Sequence, residues 1–307
     1  MFIRELSFPS SNDRDQVKAW AYLPAGKPKG IIHLIHGFCE HSKRYLSMIN
    51  GLVNAGFCVY ANDHIGHGRT GIYNKNLGNP HSGHFLTYVR DEKKLHDIAV
   101  ANHPKTPYII FGHSWGSMLA RCYAILYGND VHAIILSGVC SQMHSLDNAL
   151  TDIDFHKDYE TNPYQNAGKW SSVVFQNMTI RYGNKADPMA WLAKDQTVID
   201  EHNMDPFIVR SYTLEMLHDL AEAYKFTESS EWAARVPQHI HFCFLGGDED
   251  PCGNYGEGVY HVANNLVKTG HSAEVHLYSG FRHEAYHDSE IKEQFLQDMI
   301  RFLGKYF

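Results

Sequence analysis

Ser114 stands in Gly112, His113, Ser114, Trp115, Gly116, a GxSxG spacing. A serine hydroxyl is a weak nucleophile, so acyl transfer through it needs a base, a group to orient that base, and two N–H donors for the oxyanion. The flanking sequence sets the geometry. Residues 108–111 (YIIF) are a short apolar run suited to a buried strand, and Met118, Leu119, Cys122, Ile125 and Leu126 follow at helical spacing. A strand that reverses into a helix within about one residue holds the nucleophile in a strained backbone and needs small neighbours. The N–H of Trp115, at the start of the helix, becomes a candidate oxyanion donor. A Gly-rich turn with a capping serine has the same pattern, so the rest of the chain must decide.

The remaining parts are sought at predicted strand ends, where open parallel sheets collect their sites. Asp248 and Asp250 lie in FLGGDEDPCG; Asp250 is preferred as the acid because Pro251 biases it towards extended backbone, while Asp248 stays an alternative. Gly, Asp and Pro cluster in turns for conformational reasons too. His283, in YSGFRHEAYHD, is the candidate base; among 22 histidines its place after the last strand singles it out. The order Ser, Asp, His is the one an α/β hydrolase requires. Residues 283–287 also spell HExxH, a zinc-peptidase pattern needing both histidines on one helix face. Here it directly follows a strand and lacks an evident third ligand. His36 and Gly37 end the first buried strand, which makes the N–H of Phe38 the second candidate oxyanion donor. Glu40, His41, Arg44 and the loop 63–69 are read as braces without chemistry.

The elements that must position these residues alternate. Strands are expected over 1–8, 16–23, 30–35, 56–61, 108–111, 131–137, 239–245 and 274–278, the second as a half-exposed edge. Helices are expected over 43–55, 88–102, 117–127, 256–269 and 289–303. This is an α/β pattern, a mostly parallel, doubly wound sheet. The core is expected from 1–137 and 237–307. Residues 138–236 lack a clean strand and scatter aromatic residues among polar ones, as a helical cap would. Trp170, Phe175 and Trp191 are its candidate substrate contacts, although such residues also serve to pack a cap on a sheet.

At 307 residues the chain can bury a sizeable core, and its net charge of −7 excludes a nucleic-acid surface. No stretch reads as a signal peptide or membrane span, and the six cysteines contain no CxxC pair. A cytoplasmic location with reduced thiols is expected, with transient contact to a membrane surface if the substrate is lipid.

HGFCEHSKRY, NDHIGHGRT, GHSWGS, GGDEDP and GFRHE, in this order, resemble the monoacylglycerol lipase and lysophospholipase group of the α/β-hydrolase superfamily. WLAKDQTVIDEHNMDPF, in the insertion, resembles that group's bacterial members. The resemblance implies Ser114 as nucleophile, His283 as base, Asp250 as its partner, Phe38 and Trp115 as oxyanion donors, and a cap over the site. It implies ester hydrolysis with no metal or organic cofactor, on a small-molecule ester or lipid; aminopeptidases, thioesterases and small-ester carboxylesterases share the fold. Phe38 and Trp115 replace smaller residues or methionine of many relatives, which implies a narrower pocket at the acyl carbon. Cys252 stands where bacterial relatives often carry valine.

Overall fold

Eight strands pair in a single sheet because their residues alternate between two apolar faces. In the computed structural model, which describes residues 1–183, 186–229 and 231–307, they are β1 (Phe2–Pro9), β2 (Gln16–Leu23), β3 (Ile31–Ile35), β4 (Cys58–Asp63), β5 (Tyr108–His113), β6 (Ala133–Ser137), β7 (His241–Gly247) and β8 (Ala273–Tyr278). The order is β1-β2-β4-β3-β5-β6-β7-β8. β1 and β2 pair antiparallel, as do β2 and β4, and every other pair is parallel. Residues 184, 185 and 230 of the expected insertion lie outside the described residues.

The helices are α1 (Leu46–Asn54), α2 (Gly68–Asn74), α3 (Leu86–Asn102), α4 (Trp115–Tyr127), α5 (His144–Thr151), α6 (Ile153–Thr161), α7 (Gly168–Val174), α8 (Gln196–Met204), α9 (Leu214–Glu228), α10 (Glu257–Lys268) and α11 (Lys292–Leu303). On one face of the sheet, Ile32, Leu34, Ile109 and Phe111 join Met48 and Leu52 of α1 and Phe295 and Met299 of α11. Their neighbours Ile31, Ile35, Tyr108 and Ile110 point the other way, into the core shared with α3, α4 and α10. The period of two that makes β3 and β5 continuous apolar runs thus fills both cores at once.

Several expectations change. β2 is not an edge: it pairs with β1 and β4 and buries Val17, Ala19, Trp20, Ala21 and Tyr22. β1 holds the edge, with mostly exposed residues. The stretch expected to begin a helix at Lys43 opens as a 3₁₀ turn, Ser42–Tyr45, before α1. α2 begins at the end of the loop expected over 63–69 and continues to Asn74; its glycines and short length give it no helical signal in the sequence.

Between β6 and β7 the described residues form α5 to α9 and no strand, apart from one bridge between Asn166 and Thr213. α9 packs on α4. The segment is tied to strand-end loops by hydrogen bonds: Val209 N donates to Cys39 O at 2.8 Å, and Glu284 N to Leu192 O at 2.6 Å. His41 Nε2 also meets Asp205 Oδ2 at 2.8 Å.

Candidate active site

Ser114 sits between β5 and α4 with φ 55° and ψ −121°, a left-handed backbone that a serine adopts only under constraint. The constraint is visible at the two glycines. A Cβ on Gly116 would lie 2.2 Å from Ile35 O, and one on Gly112 would lie 2.4 Å from Gly116 O. Neither position has room for a side chain, so the turn can close only as Gly-x-Ser-x-Gly. Ser114 N donates to Ser137 O at 2.9 Å, anchoring the turn to β6.

The loops after β7 and β8 meet beside it. His283 Nδ1 is 2.8 Å from Asp250 Oδ2, and Asp250 Oδ1 accepts from Cys252 N at 2.8 Å. Both His283 and Asp250 are buried. Burial opposes the charged imidazole, yet the carboxylate of Asp250 and its hydrogen bond outweigh burial and lift the pKa of His283 to about 9. With Nδ1–H held by the carboxylate, Nε2 is the nitrogen left to take a proton. Asp248, the alternative, serves elsewhere: its Oδ1 accepts from Gly280 N at 2.6 Å and closes the loop after β8.

Ser114 and His283 line one cavity of about 560 Å³. Among the described residues no hydrogen bond joins them; Ser114 Oγ instead approaches Cys140 Sγ at 3.8 Å. The His113 and His283 rings lie 4.9 Å apart, and burial together with the neighbouring His283 pushes His113 down to about 3, so it stays neutral. The amides of Phe38 and Trp115 donate no hydrogen bond to any described residue, which leaves both N–H groups for a ligand oxygen. Their loop is built with care: His64 N donates to His36 Nε2 at 3.1 Å, so the imidazole proton sits on Nδ1 and is given to Gly37 O at 2.8 Å.

The residues read as braces form an ion cluster at this site. Glu40 Oε1 accepts from Gly37 N at 2.6 Å and from Tyr45 Oη at 2.7 Å. Arg44 donates to Glu40 at 2.8 Å and to both oxygens of Glu284 at 2.6 and 2.7 Å. Burial would raise Glu284, but the adjacent Arg44 guanidinium holds its carboxyl well below the usual range. The HExxH pattern therefore forms no zincin helix: Ala285–His287 is a 3₁₀ turn, Glu284 is committed to Arg44, and His283 to Asp250.

The expected substrate contacts divide. Phe175 and Trp191 line the cavity, with Phe38 and Met178. Trp170 does not; its ring packs on Phe155 and its Nε1 donates to Asp158 at 2.9 Å. Trp115 also turns away: its indole is buried among Tyr88, His64 and His67, so Phe38 alone of the two narrows the cavity. Cys140 at the nucleophile was missed, since nothing in its sequence neighbourhood marks it. Glu284, the glutamate of the disfavoured HExxH string, instead pairs with Arg44, a contact no local pattern marks.

Residues 26–290 match the family described as serine aminopeptidase, S33. The chain belongs to this family. Members of the monoacylglycerol lipase group are among its relatives. The chain is 36% identical over 123 residues to the monoacylglycerol lipase of Mycolicibacterium smegmatis, a match covering 40% of this chain and 42% of that protein. It is 33% identical over 191 residues to the monoglyceride lipase of Homo sapiens, covering 62% and 56%. The matches thus span about half the length of these relatives. A highly thermostable carboxyl esterase from Bacillus coagulans, solved in complex with glycerol, superposes with a TM-score of 0.95 at 36% identity over 99% of each chain. This S33 family member has the α/β-hydrolase fold.

Proposed function

We propose that the protein is a serine ester hydrolase acting on a monoacyl ester of a small neutral alcohol, of the monoacylglycerol type. The observation that carries the reading is the strained Ser114 at the wall of a cavity that also exposes His283, itself paired to Asp250 at 2.8 Å. In this mechanism Ser114 Oγ swings from Cys140 towards His283, loses its proton to Nε2 and attacks the ester carbonyl. Asp250 holds the tautomer and steadies the imidazolium. The oxyanion is stabilised by the N–H groups of Phe38 and Trp115, and water later hydrolyses the acyl-enzyme.

The cavity supports the substrate class. Its volume suits a ligand of drug-like size, and Phe175, Met178, Trp191 and Ile208 supply apolar walls for an acyl chain. Ser171, Asn177 and Asn203 supply hydroxyl-binding groups. Arg210 is the sole lysine or arginine among the described lining residues, which favours a neutral alcohol over a phospho-headgroup. An aminopeptidase needs a carboxylate for the substrate's α-amino group. Glu40 and Glu284, the two acidic lining residues, are already held by Arg44. The names of the relatives, monoacylglycerol and monoglyceride lipases, agree with this reading. Residues 138–236 act as the cap that completes the cavity, and the six free thiols suit a reducing cytoplasm. No helix among the described residues is long and apolar enough to cross a membrane.

The test is fluorophosphonate labelling with peptide mapping, alongside hydrolysis of p-nitrophenyl esters from acetate to palmitate and of 1-monoacylglycerols. Label on Ser114 and an optimum at medium or long chains are expected. Ser114→Ala should abolish labelling and lower kcat by on the order of 10⁶-fold, the cost seen when a serine protease loses its nucleophile. Full turnover by that variant would end the reading.

A further inference from the structure

Cys252 is the residue of this site that the hydrolase reading leaves without work. Its ligand-bearing sulfur, a carboxylate oxygen of Asp250 and a ring nitrogen of His283 all lie within 4.8 Å of one another, and all three residues are buried. We propose that Asp250, Cys252 and His283 form a binding site for a thiophilic divalent cation of the Zn²⁺ type, whose occupancy arrests the enzyme.

The spacing fits. Zn²⁺ binds imidazole nitrogen and carboxylate oxygen at about 2.0–2.2 Å and thiolate sulfur at about 2.3 Å, which separates tetrahedral ligands by about 3.3–3.8 Å. The closest existing pair, His283 Nδ1 and Asp250 Oδ2 at 2.8 Å, has to open by a fraction of an ångström. Asp250 Oδ1 stays on Cys252 N at 2.8 Å, so acid and thiol are presented by one short turn. The N, O, S donor set with a thiolate selects Zn²⁺ over Mg²⁺ or Ca²⁺, which prefer all-oxygen shells. A path exists, because Cys252 and His283 both line the cavity that holds Ser114. Cys140, also in that lining, sets a second thiol close by.

Binding is a proton exchange without redox change. The Sγ–H proton of Cys252 leaves to solvent, the single proton of neutral His283 moves from Nδ1 to Nε2, and the metal takes the freed lone pairs of Sγ and Nδ1. With Nδ1 on the metal, His283 no longer donates to Asp250, and the imidazole loses the partner that raises its basicity. Turnover stops without any change at Ser114. The HExxH residues take no part: Glu284 remains with Arg44.

The effect on turnover rests on the proposed ester hydrolysis, whereas binding does not, and the experiment separates them. The full chain, stripped with a chelator and kept in a phosphine reductant, is titrated with Co²⁺. A thiolate-to-Co²⁺ charge-transfer band in the near ultraviolet is expected, displaced by Zn²⁺, lost in Cys252→Val and retained in Cys140→Ala. In the ester assay Zn²⁺ at ~100 times its Kd should leave about 1% of turnover, restored by chelator, as mass action requires. Cys252→Val, compared with its own metal-free rate, should resist the same Zn²⁺. Absence of the band in the native protein, its persistence in Cys252→Val, or equal Zn²⁺ inhibition of that variant would overturn the site. A band without any esterase activity upholds the site and counts against the proposed function instead.

Discussion

At the scale of single residues, the two aspartates after β7 differ in what they hold. Asp250 bears on His283, while Asp248 pins Gly280 N. Asp250→Asn should therefore lower kcat by about 10⁴-fold, the cost of a wrong imidazole tautomer in a serine protease. Asp248→Asn leaves an amide oxygen to accept from Gly280 N and loses only the charge on that bond, so it should cost at most about 0.5–1.5 kcal/mol of stability. Steady-state kinetics of both variants check this, and the reverse ranking would exchange their roles. The same contact sets a pH dependence. In the proposed mechanism turnover needs neutral His283, whose pKa is raised to about 9, against burial, by the Asp250 carboxylate. Accordingly kcat/KM should climb with pH through an inflection above the ordinary 6.5 and level off beyond it. Stability runs the other way. The charged pair contributes fully below pH 6.5 and is lost as pH rises through the folded pKa, so the thermal midpoint should decline between about 6.5 and 9. A rate profile with its inflection at or below 6.5 would contradict the pairing.

At the scale of elements, the loop after β3 and the loop after β8 are joined through a single side chain. Arg44 bridges Glu40, which holds Gly37 N, to Glu284, which adjoins His283. Removing one partner of a buried ion cluster leaves the others uncompensated, so Arg44→Met should cost about 3–5 kcal/mol. Arg44→Lys keeps the charge but not the two-pronged bond to Glu284, and should fall between the two in thermal midpoint and in kcat. An Arg44→Met protein as stable as the native one would refute the clamp. This cluster also shows what the sequence could not convey. GxSxG was legible because glycine, serine and the strand-helix context are local and each has a steric reason. β3 and β5 were legible because a strand buried on both faces is continuously apolar. Arg44 and Glu284 are 240 positions apart, and no local pattern announces a contact at that range. β2 misled for a related reason: its alternation is genuine, but β1 covers its outer edge and α2 its exposed face.

At the scale of the whole molecule, the cavity exists only between the sheet's strand-end loops and the 138–236 segment, and the three aromatic residues singled out in that segment separate into two jobs. Phe175 faces the cavity, its ring stacked on Phe38 at 6.3 Å between centroids. An acyl chain lying there is bound equally in ground and transition states. Its loss should raise KM with little change in kcat. Phe175→Ala should weaken kcat/KM for medium and long esters by about 10- to 100-fold, the worth of about 1.5–3 kcal/mol of apolar contact, and leave acetate hydrolysis almost untouched. Trp170 instead supports the segment from behind, against Phe155 and Asp158. Trp170→Ala should lower stability by about 3–5 kcal/mol while the preferred chain length stays where it was. Chain-length profiles and thermal unfolding of the two variants side by side provide the measurement. If Trp170→Ala shifts the profile and Phe175→Ala does not, the acyl chain takes a different route through the molecule.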